Sequence, residues 1–221
     1  MAPIPSADTP GYHQLRERVQ YALDQRREAP DVDFKESAPW NALKWQIIRT
    51  ALGMGNLRDG GVIVIGVSER GNEWELTGIS PEHRDTYDAD TISDQIAPYV
   101  SPGVEPVIVR VTYTDPRQQH KVEVLTIEVK EFAEIPLVCK KTGPDRTGLT
   151  VGAVYVRPHQ GRPRTTRVTD AAQMRELLDL AGEKAAWRII ESGRRAGLEF
   201  PPPREEVPSV AELLDQELEG L

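Results

Sequence analysis

Apolar residues recur at helical spacing in several segments of the chain. In the segment 12–27, Leu15, Val19 and Leu23 lie four residues apart, and the opposite face is polar. A repeat of three to four residues is typical of a helix that buries one side. The pattern predicts helices over residues 12–27, 42–54, 90–99, 170–196 and, near the acidic end of the chain, 207–218.

The helix predicted at residues 170–196 carries a start signal of its own. Asp170 followed by Gln173 resembles a capping box, in which side chains satisfy backbone N–H groups left free at a helix start. Spacing then predicts its apolar face, which consists of Met174, Leu177, Leu178, Ala181, Ala185 and Ile189.

Other apolar residues follow the pattern of strands. The run 62–67 is continuous, is bounded by glycines and is too short to cross a membrane, which predicts a buried strand. The segments 107–113 and 122–129 are joined by a polar turn, which predicts an antiparallel hairpin. Shorter strands are predicted at residues 32–35, 74–79 and 153–157, an extended segment at 136–139, and a loop at 81–87.

The composition fits one globular domain, alone or with appendages. The chain has 221 residues, 38% of them hydrophobic, which is enough for a sizeable core. The single Cys139 excludes an internal disulfide and a cysteine-clustered zinc site. No apolar run has the length of a membrane span, and the first residues lack the features of a signal peptide. We therefore expect a cytoplasmic protein that does not use a membrane.

Charge is distributed unevenly along the chain. The net charge is −8, yet residues 140–167 hold seven basic residues against one acid, and residues 198–221 hold seven acids against one arginine. A basic patch of this size can bind phosphates whatever the total charge is. It can equally be a solvated loop, and the acidic tail could fold back on it and restrain binding.

Two acids stand at the ends of predicted strands. One helix joins the strands that carry Asp33 and Glu69, so the two carboxylates could share a site. Each also has an ordinary explanation: Asp33 could pair with Lys35, Arg49 or another cation, and Glu69 could be a turn residue. No Gly-x4-Gly-Lys-Ser/Thr segment occurs, so a phosphate-binding loop of that kind is excluded.

Several short motifs occur in a recognisable order. They are Asp-Phe-Lys-Glu-Ser at 33–37, Gly-Gly-Val-Ile-Val-Ile-Gly-Val at 60–67, Gly78-Ile79, a helix with Ile92 and Ile96, and Ala-Val-Tyr-Val-Arg at 153–157. This series resembles the Schlafen-type AlbA-like domain, also described as a divergent AAA or DNA-binding domain. The resemblance covers about residues 28–180. It implies an α+β fold with a mixed, mainly antiparallel sheet and helices packed on it.

The resemblance also implies a chemistry. Schlafen-type nucleases of this kind use three carboxylates to bind a divalent metal and cleave structured RNA, especially tRNA. The matching positions are Glu28, Asp33 and Glu69, which would hold Mg²⁺ or Mn²⁺, the hard cations that prefer oxygen ligands. At the second and third positions Asp and Glu are exchanged relative to the family pattern, and Ser68 stands where relatives often have a further Asp.

The basic segment predicts the surface that contacts nucleic acid. Only Tyr155 is aromatic there, which favours recognition of a folded RNA or a duplex by its backbone over stacking on single strands. The resemblance to nucleases that cleave RNA implies that RNA is preferred to DNA. The predicted contacts are Lys140, Lys141, Arg157, Arg162, Arg164 and Arg167.

Three functions remain open at this point. The leading one is a metal-dependent endoribonuclease, and the first alternative is a DNA- or RNA-binding regulatory module without catalysis. The third is an interaction subunit, for example in a defence complex, that docks a partner protein or a second copy through its C-terminal helix. The predicted organisation is an arm and helix at 1–27, a nucleic-acid-binding domain at 28–197, and a proline-rich linker with an acidic helix or tail at 198–221.

Overall fold

The computed structural model of the protein describes residues 4–9, 11–25, 27–70, 73–115, 121–158 and 163–198. The helices are α1 (His13–Gln25), α2 (Trp40–Met54), α3 (Pro81–Arg84), α4 (Ala89–Ile96) and α5 (Ala171–Arg195). The strands are β1 (Val32–Lys35), β2 (Gly61–Ile65), β3 (Val67–Arg70), β4 (Glu73–Leu76), β5 (Val100–Ser101), β6 (Val107–Thr114), β7 (Lys121–Val129), β8 (Val138–Cys139), β9 (Tyr155–Val156) and β10 (Thr166–Arg167).

Four strands form the central sheet in the order β1-β2-β7-β6. β1 runs parallel to β2, whereas β7 runs antiparallel to both of its neighbours. The remaining strands pair two by two, as β3 with β4, β5 with β8 and β9 with β10. A mixed, mainly antiparallel sheet with helices packed on it confirms the predicted α+β class.

The sheet is covered on both faces, which explains the continuous apolar run of β2. Successive side chains of a strand point to opposite faces. Val62 and Val64 pack with the buried residues of α1, whereas Ile63 and Ile65 pack with those of α2 and α4. All four are fully buried. A strand that is buried on both faces needs no polar residues, and it therefore reads as a short apolar block.

The apolar run predicted as one strand is divided at Gly66. This residue has φ +114°, and a Cβ added to it would lie 2.6 Å from the carbonyl carbon of Gly78. Its carbonyl accepts hydrogen bonds from the backbone N–H groups of Thr77 and Gly78. The chain therefore leaves the central sheet after Ile65 and continues as the ribbon β3-β4.

Two other predictions of local structure were wrong. The segment predicted as loop at residues 81–87 begins with the short helix α3, whose first turn is capped by the Ser80 hydroxyl. In α5, Leu177 and Leu180 are buried, but Leu178 is 60% and Ile189 67% exposed. Apolar residues occur on several sides of this helix, so spacing alone could not select the buried side. The predicted start is present, since the Gln173 backbone N–H donates to Asp170.

The N-terminal arm lies along the edge of the sheet. Ala7 donates its backbone N–H to the carbonyl of Arg110, and Arg110 donates its own to the carbonyl of Pro5. Because β6 is an edge strand, this pairing satisfies backbone groups that would otherwise remain free.

By its contacts the chain divides into two units, Met1–Gly182 and Glu183–Leu221. The first contains the sheet. Of the second, the structure describes residues 183–198, most of which belong to α5. The predicted linker and acidic helix fall on residues 199–221, outside the described part. No helix among the described residues is long and apolar enough to span a membrane.

Candidate functional site

A cleft of about 550 Å³ opens beside β1 and α2. Its other sides are formed by the ribbon β3-β4 and by the segment around residues 163–165. The three predicted acids, Glu28, Asp33 and Glu69, all line this cleft. The fold thus brings together three residues that are dispersed over 42 positions of the sequence. Their surroundings differ from one acid to the next.

Asp33 is buried and is paired with two cations. Its Oδ1 accepts a hydrogen bond from Arg157 Nη1 at 3.1 Å. Its Oδ2 forms an ion pair with Lys35 Nζ, and Lys35 also donates to the carbonyl of Phe34. Asp33 and Lys35 stand two residues apart in β1 and so share one face of the strand. Pairing with Lys35 was one of the structural reasons that the sequence analysis gave for an acid at position 33.

Arg157 is a buried structural contact rather than a surface cation. Its side chain is 1% exposed. Besides Asp33, its guanidinium donates to the carbonyls of Ala29, Pro30 and Val32 and to the Thr165 hydroxyl. A guanidinium has five N–H donors, and these contacts use all five. Arg157 was predicted to guide a nucleic-acid backbone; here it joins the segment after β9 to the start of β1.

Arg157 packs against α2 at Gly53, and Asn56, just after the helix, bonds the strand that precedes Arg157. At Gly53 an added Cβ would lie 2.8 Å from Thr165 Cγ2 and 3.2 Å from Arg157 Cγ, so only a residue without a side chain fits without a shift. After the helix, buried Asn56 donates from Nδ2 to the carbonyls of Leu137 and Tyr155, at 3.0 and 2.9 Å, and accepts from the Leu137 N–H at 2.6 Å. These bonds fix the strand that precedes Arg157.

Glu28 is half-buried beside Asp33. Its Oε1 accepts a hydrogen bond from the Phe34 backbone N–H at 3.2 Å. Burial raises the pKa of Glu28 above its ordinary value, and the negative charge of Asp33 raises it further. The Phe34 N–H and the cations Lys35 and Arg157 act in the opposite direction without cancelling these effects.

Glu69 is exposed on β3, and the three acids do not form a metal site as they stand. Within the described residues, no group of three or more His, Cys, Asp or Glu side chains could hold a metal ion. The chemistry agrees with this geometry, because Lys35 and Arg157 already balance the charge of Asp33. A divalent cation would have to displace these partners, so the residues as arranged do not fit one.

Two arginines in the cleft differ from Arg157. Arg49 on α2 is half-buried and Arg164 is exposed, and both line the cleft. Neither makes a hydrogen bond or ion pair with another residue of the described segments. Arg49 was not among the predicted contacts. The sequence offered little to single it out, since Arg49 is one of several polar residues on α2.

An aromatic wall is the second feature that sequence reasoning missed. Trp74 on β4 lines the cleft and packs against Phe34, with ring centroids 5.4 Å apart and an angle of 63° between the planes. Tyr155, the one aromatic residue of the basic segment, is 1% exposed, and its hydroxyl donates to the carbonyl of Gly148.

The remaining predicted contacts lie elsewhere. Lys140, Lys141 and Arg167 are exposed and are not part of the cleft lining. Lys141 Nζ lies 5.7 Å from the centre of the Tyr99 ring. Arg162 lies outside the described residues.

Residues 28–164 match the sequence profile of the family described as Schlafen, AlbA_2. No curated protein matches the chain. Solved structures that are similar to it include the following two. One is the crystal structure of the DIP2311 protein from Corynebacterium diphtheriae, with 18% identity, coverage of 74% of this chain and 28% of that chain, and a TM-score of 0.45.

The other is the solution structure of the N-terminal domain of a Nitrosomonas europaea protein that carries the name putative ATP-dependent DNA helicase RecG-related protein. Identity is 16%, coverage is 69% of this chain and 89% of that domain, and the TM-score is 0.39. The present chain spans less than a third of the Corynebacterium diphtheriae protein. Both TM-scores are below 0.5, so neither likeness carries weight for function.

Proposed function

This chain belongs to the Schlafen, AlbA_2 family, whose profile matches more than half of it, and from that premise we propose that it binds nucleic acid in the cleft beside β1 and α2. Family membership supports nucleic-acid binding in general. The observation that carries the location is the pair Arg49 and Arg164, two cleft arginines without a described protein partner.

Their chemistry suits a phosphate backbone. A guanidinium presents several N–H donors in one plane and binds phosphate oxygens in pairs. In Arg157 these donors are all engaged by the protein, whereas Arg49 and Arg164 make no hydrogen bond or ion pair with another described residue. Such contacts displace counterions from the nucleic acid, so the affinity should fall steeply with added salt.

The test compares two pairs of cations that carry the same charge. Arg49→Gln/Arg164→Gln removes two positive charges from the cleft, and Lys140→Gln/Lys141→Gln removes two from the exposed loop. Binding of a labelled RNA hairpin and of a DNA duplex is measured by fluorescence anisotropy at about 50 and 200 mM salt. We expect the cleft variant to bind at least about tenfold more weakly than the natural protein. Its binding should also depend less on salt: each lost phosphate contact should reduce the slope of log affinity against log salt concentration by about one.

The control pair decides where binding takes place. If Lys140→Gln/Lys141→Gln weakens binding and the cleft variant does not, the nucleic acid lies on the loop and the proposed location is wrong. Absence of binding to either probe at low salt would contradict the proposed function itself.

Metal-dependent cleavage of structured RNA, such as tRNA, is the second candidate. What favours it is the convergence of Glu28, Asp33 and Glu69 on one cleft. What opposes it is the pairing of Asp33 with Lys35 and Arg157. The nuclease and the binding module are distinguished by incubating labelled tRNA and Mg²⁺ or Mn²⁺ with the natural protein and with Glu69→Ala. Cleavage that requires both the metal and Glu69 would favour the nuclease, and binding without cleavage would favour the binding module.

A further inference from the structure

The aromatic wall of the cleft has the features of a stacking surface. Phe34 is 3% exposed and is part of the core, whereas Trp74 is half-buried and lines the cleft. The indole is thus supported from inside the protein, while part of its surface faces the cleft. A ring held in place loses little conformational freedom when a flat ligand stacks on it.

An acceptor stands directly beside this ring. In the β3-β4 ribbon Glu69 is the cross-strand partner of Trp74. Side chains at directly opposite positions lie on the same face of a ribbon, with Cβ atoms about 5 Å apart. Glu69 is exposed and, like Trp74, lines the cleft.

We propose that Trp74 and Glu69 form a pocket for one unpaired nucleobase that carries an exocyclic amino group. The base stacks on the indole, and its amino group donates to the Glu69 carboxylate. This inference rests on the proposed function, because Arg49 and Arg164 of the same cleft hold the adjoining phosphates. It narrows the substrate to nucleic acids with an unpaired adenine, cytosine or guanine.

The chemistry of each contact is established in general terms. Unpaired bases are recognised by stacking on aromatic side chains, which contributes about 1–3 kcal/mol per base. Carboxylates accept hydrogen bonds from the amino group of cytosine, and uracil has no such donor. A cleft of about 550 Å³ is within the usual range for a ligand of nucleotide size. Backbone-led recognition of a duplex or a folded RNA, the expectation from the sequence, would not use Trp74.

The experiment uses hairpin RNAs with one stem and different loops. One loop contains adenines, a second contains uracils, and a blunt duplex serves as the unpaired-base control. We expect Trp74→Leu to weaken binding of the adenine loop about tenfold and to leave the duplex unchanged. Trp187→Leu is the matched control, since Trp187 is 63% exposed on α5 and is not part of the cleft lining. Glu69→Ala should abolish the preference for adenine over uracil.

A conservative variant keeps the test valid if Trp74→Leu does not fold. Trp74→Phe preserves an aromatic ring against Phe34, so it should bind the adenine loop nearly as well as the natural protein. It should lose the quenching of tryptophan fluorescence that the adenine loop causes in the natural protein and in Trp187→Phe. Quenching that persists in Trp74→Phe, or equal affinity for all three RNAs, would overturn the pocket while leaving the proposed function intact. Absence of binding to any of the RNAs would overturn both.

Discussion

Replacement of Arg157 should destabilise the protein more than replacement of any other arginine of the cleft. Arg157→Met keeps a side chain of similar length and removes five hydrogen-bond donors. It leaves the buried carboxylate of Asp33 with Lys35 alone, and it leaves the carbonyls of Ala29, Pro30 and Val32 without these donors. Removal of one partner from a buried ion pair costs about 3–5 kcal/mol. Because Lys35 remains, we expect a loss of about 3 kcal/mol.

Urea unfolding at neutral pH measures this loss. A loss of about 3 kcal/mol is a large part of the roughly 5–15 kcal/mol that keeps a domain folded. Arg164→Met is the matched control: Arg164 is exposed, and we expect its change to stay within about 0.5 kcal/mol. In Arg157→Met/Asp33→Asn the buried anion is also removed, so part of the stability should return.

The reasoning would be refuted by a small effect. If Arg157→Met unfolds within about 1 kcal/mol of the natural protein, the guanidinium does not hold the start of β1 in the way that its buried contacts indicate. Equal losses in Arg157→Met and Arg164→Met would also contradict it.

Three further predictions concern single positions. Burial raises the pKa of Glu28, so its charged form destabilises the fold above that pKa. Glu28→Gln should therefore raise the melting temperature by about 2 °C at about pH 8. Thermal scans at several pH values should show this gain vanish as the pH falls toward 4.5, the ordinary pKa of a glutamate. Gly66→Ala should cost at least about 2 kcal/mol in urea unfolding, because φ +114° is strained for alanine and the new methyl meets Gly78; a neutral result would contradict the close approach. Asn56→Ala should cost about 3 kcal/mol, since it leaves three buried backbone groups, two of them on Leu137, without a partner; amide exchange at Leu137 should rise, and unchanged exchange would count against the contact.

Local pattern was enough to predict most of the elements. The buried residues of α1 are the four that helical spacing selects: Leu15, Val19, Ala22 and Leu23. The hairpin of β6 and β7 follows from alternation and a turn, because both strands are neighbours in sequence and in the sheet. Where pattern failed, a tertiary contact decided. The division at Gly66 depends on Gly78, which no local rule connects to it.

The site was predictable to the extent that its residues lie at the ends of neighbouring elements. Asp33 on β1 and Glu69 on β3 both line the cleft, although β2 as well as α2 lies between their strands in the sequence. Of the two partners of Asp33, Lys35 was anticipated but Arg157 was not predictable, since it is 124 residues away and arginine is more often a surface residue. Trp74 was missed for a similar reason: its contact with Phe34 across 40 positions makes it part of the cleft.

Binding of one RNA hairpin to the cleft variant tests the central proposal most directly. The dissociation constant of a labelled hairpin with an adenine loop is measured at low and moderate salt for the natural protein, for Arg49→Gln/Arg164→Gln and for Lys140→Gln/Lys141→Gln. A cleft that holds nucleic acid predicts salt-sensitive binding that weakens about tenfold or more in the first variant and little in the second. Binding that both variants retain at full strength, or no binding by the natural protein, would contradict it.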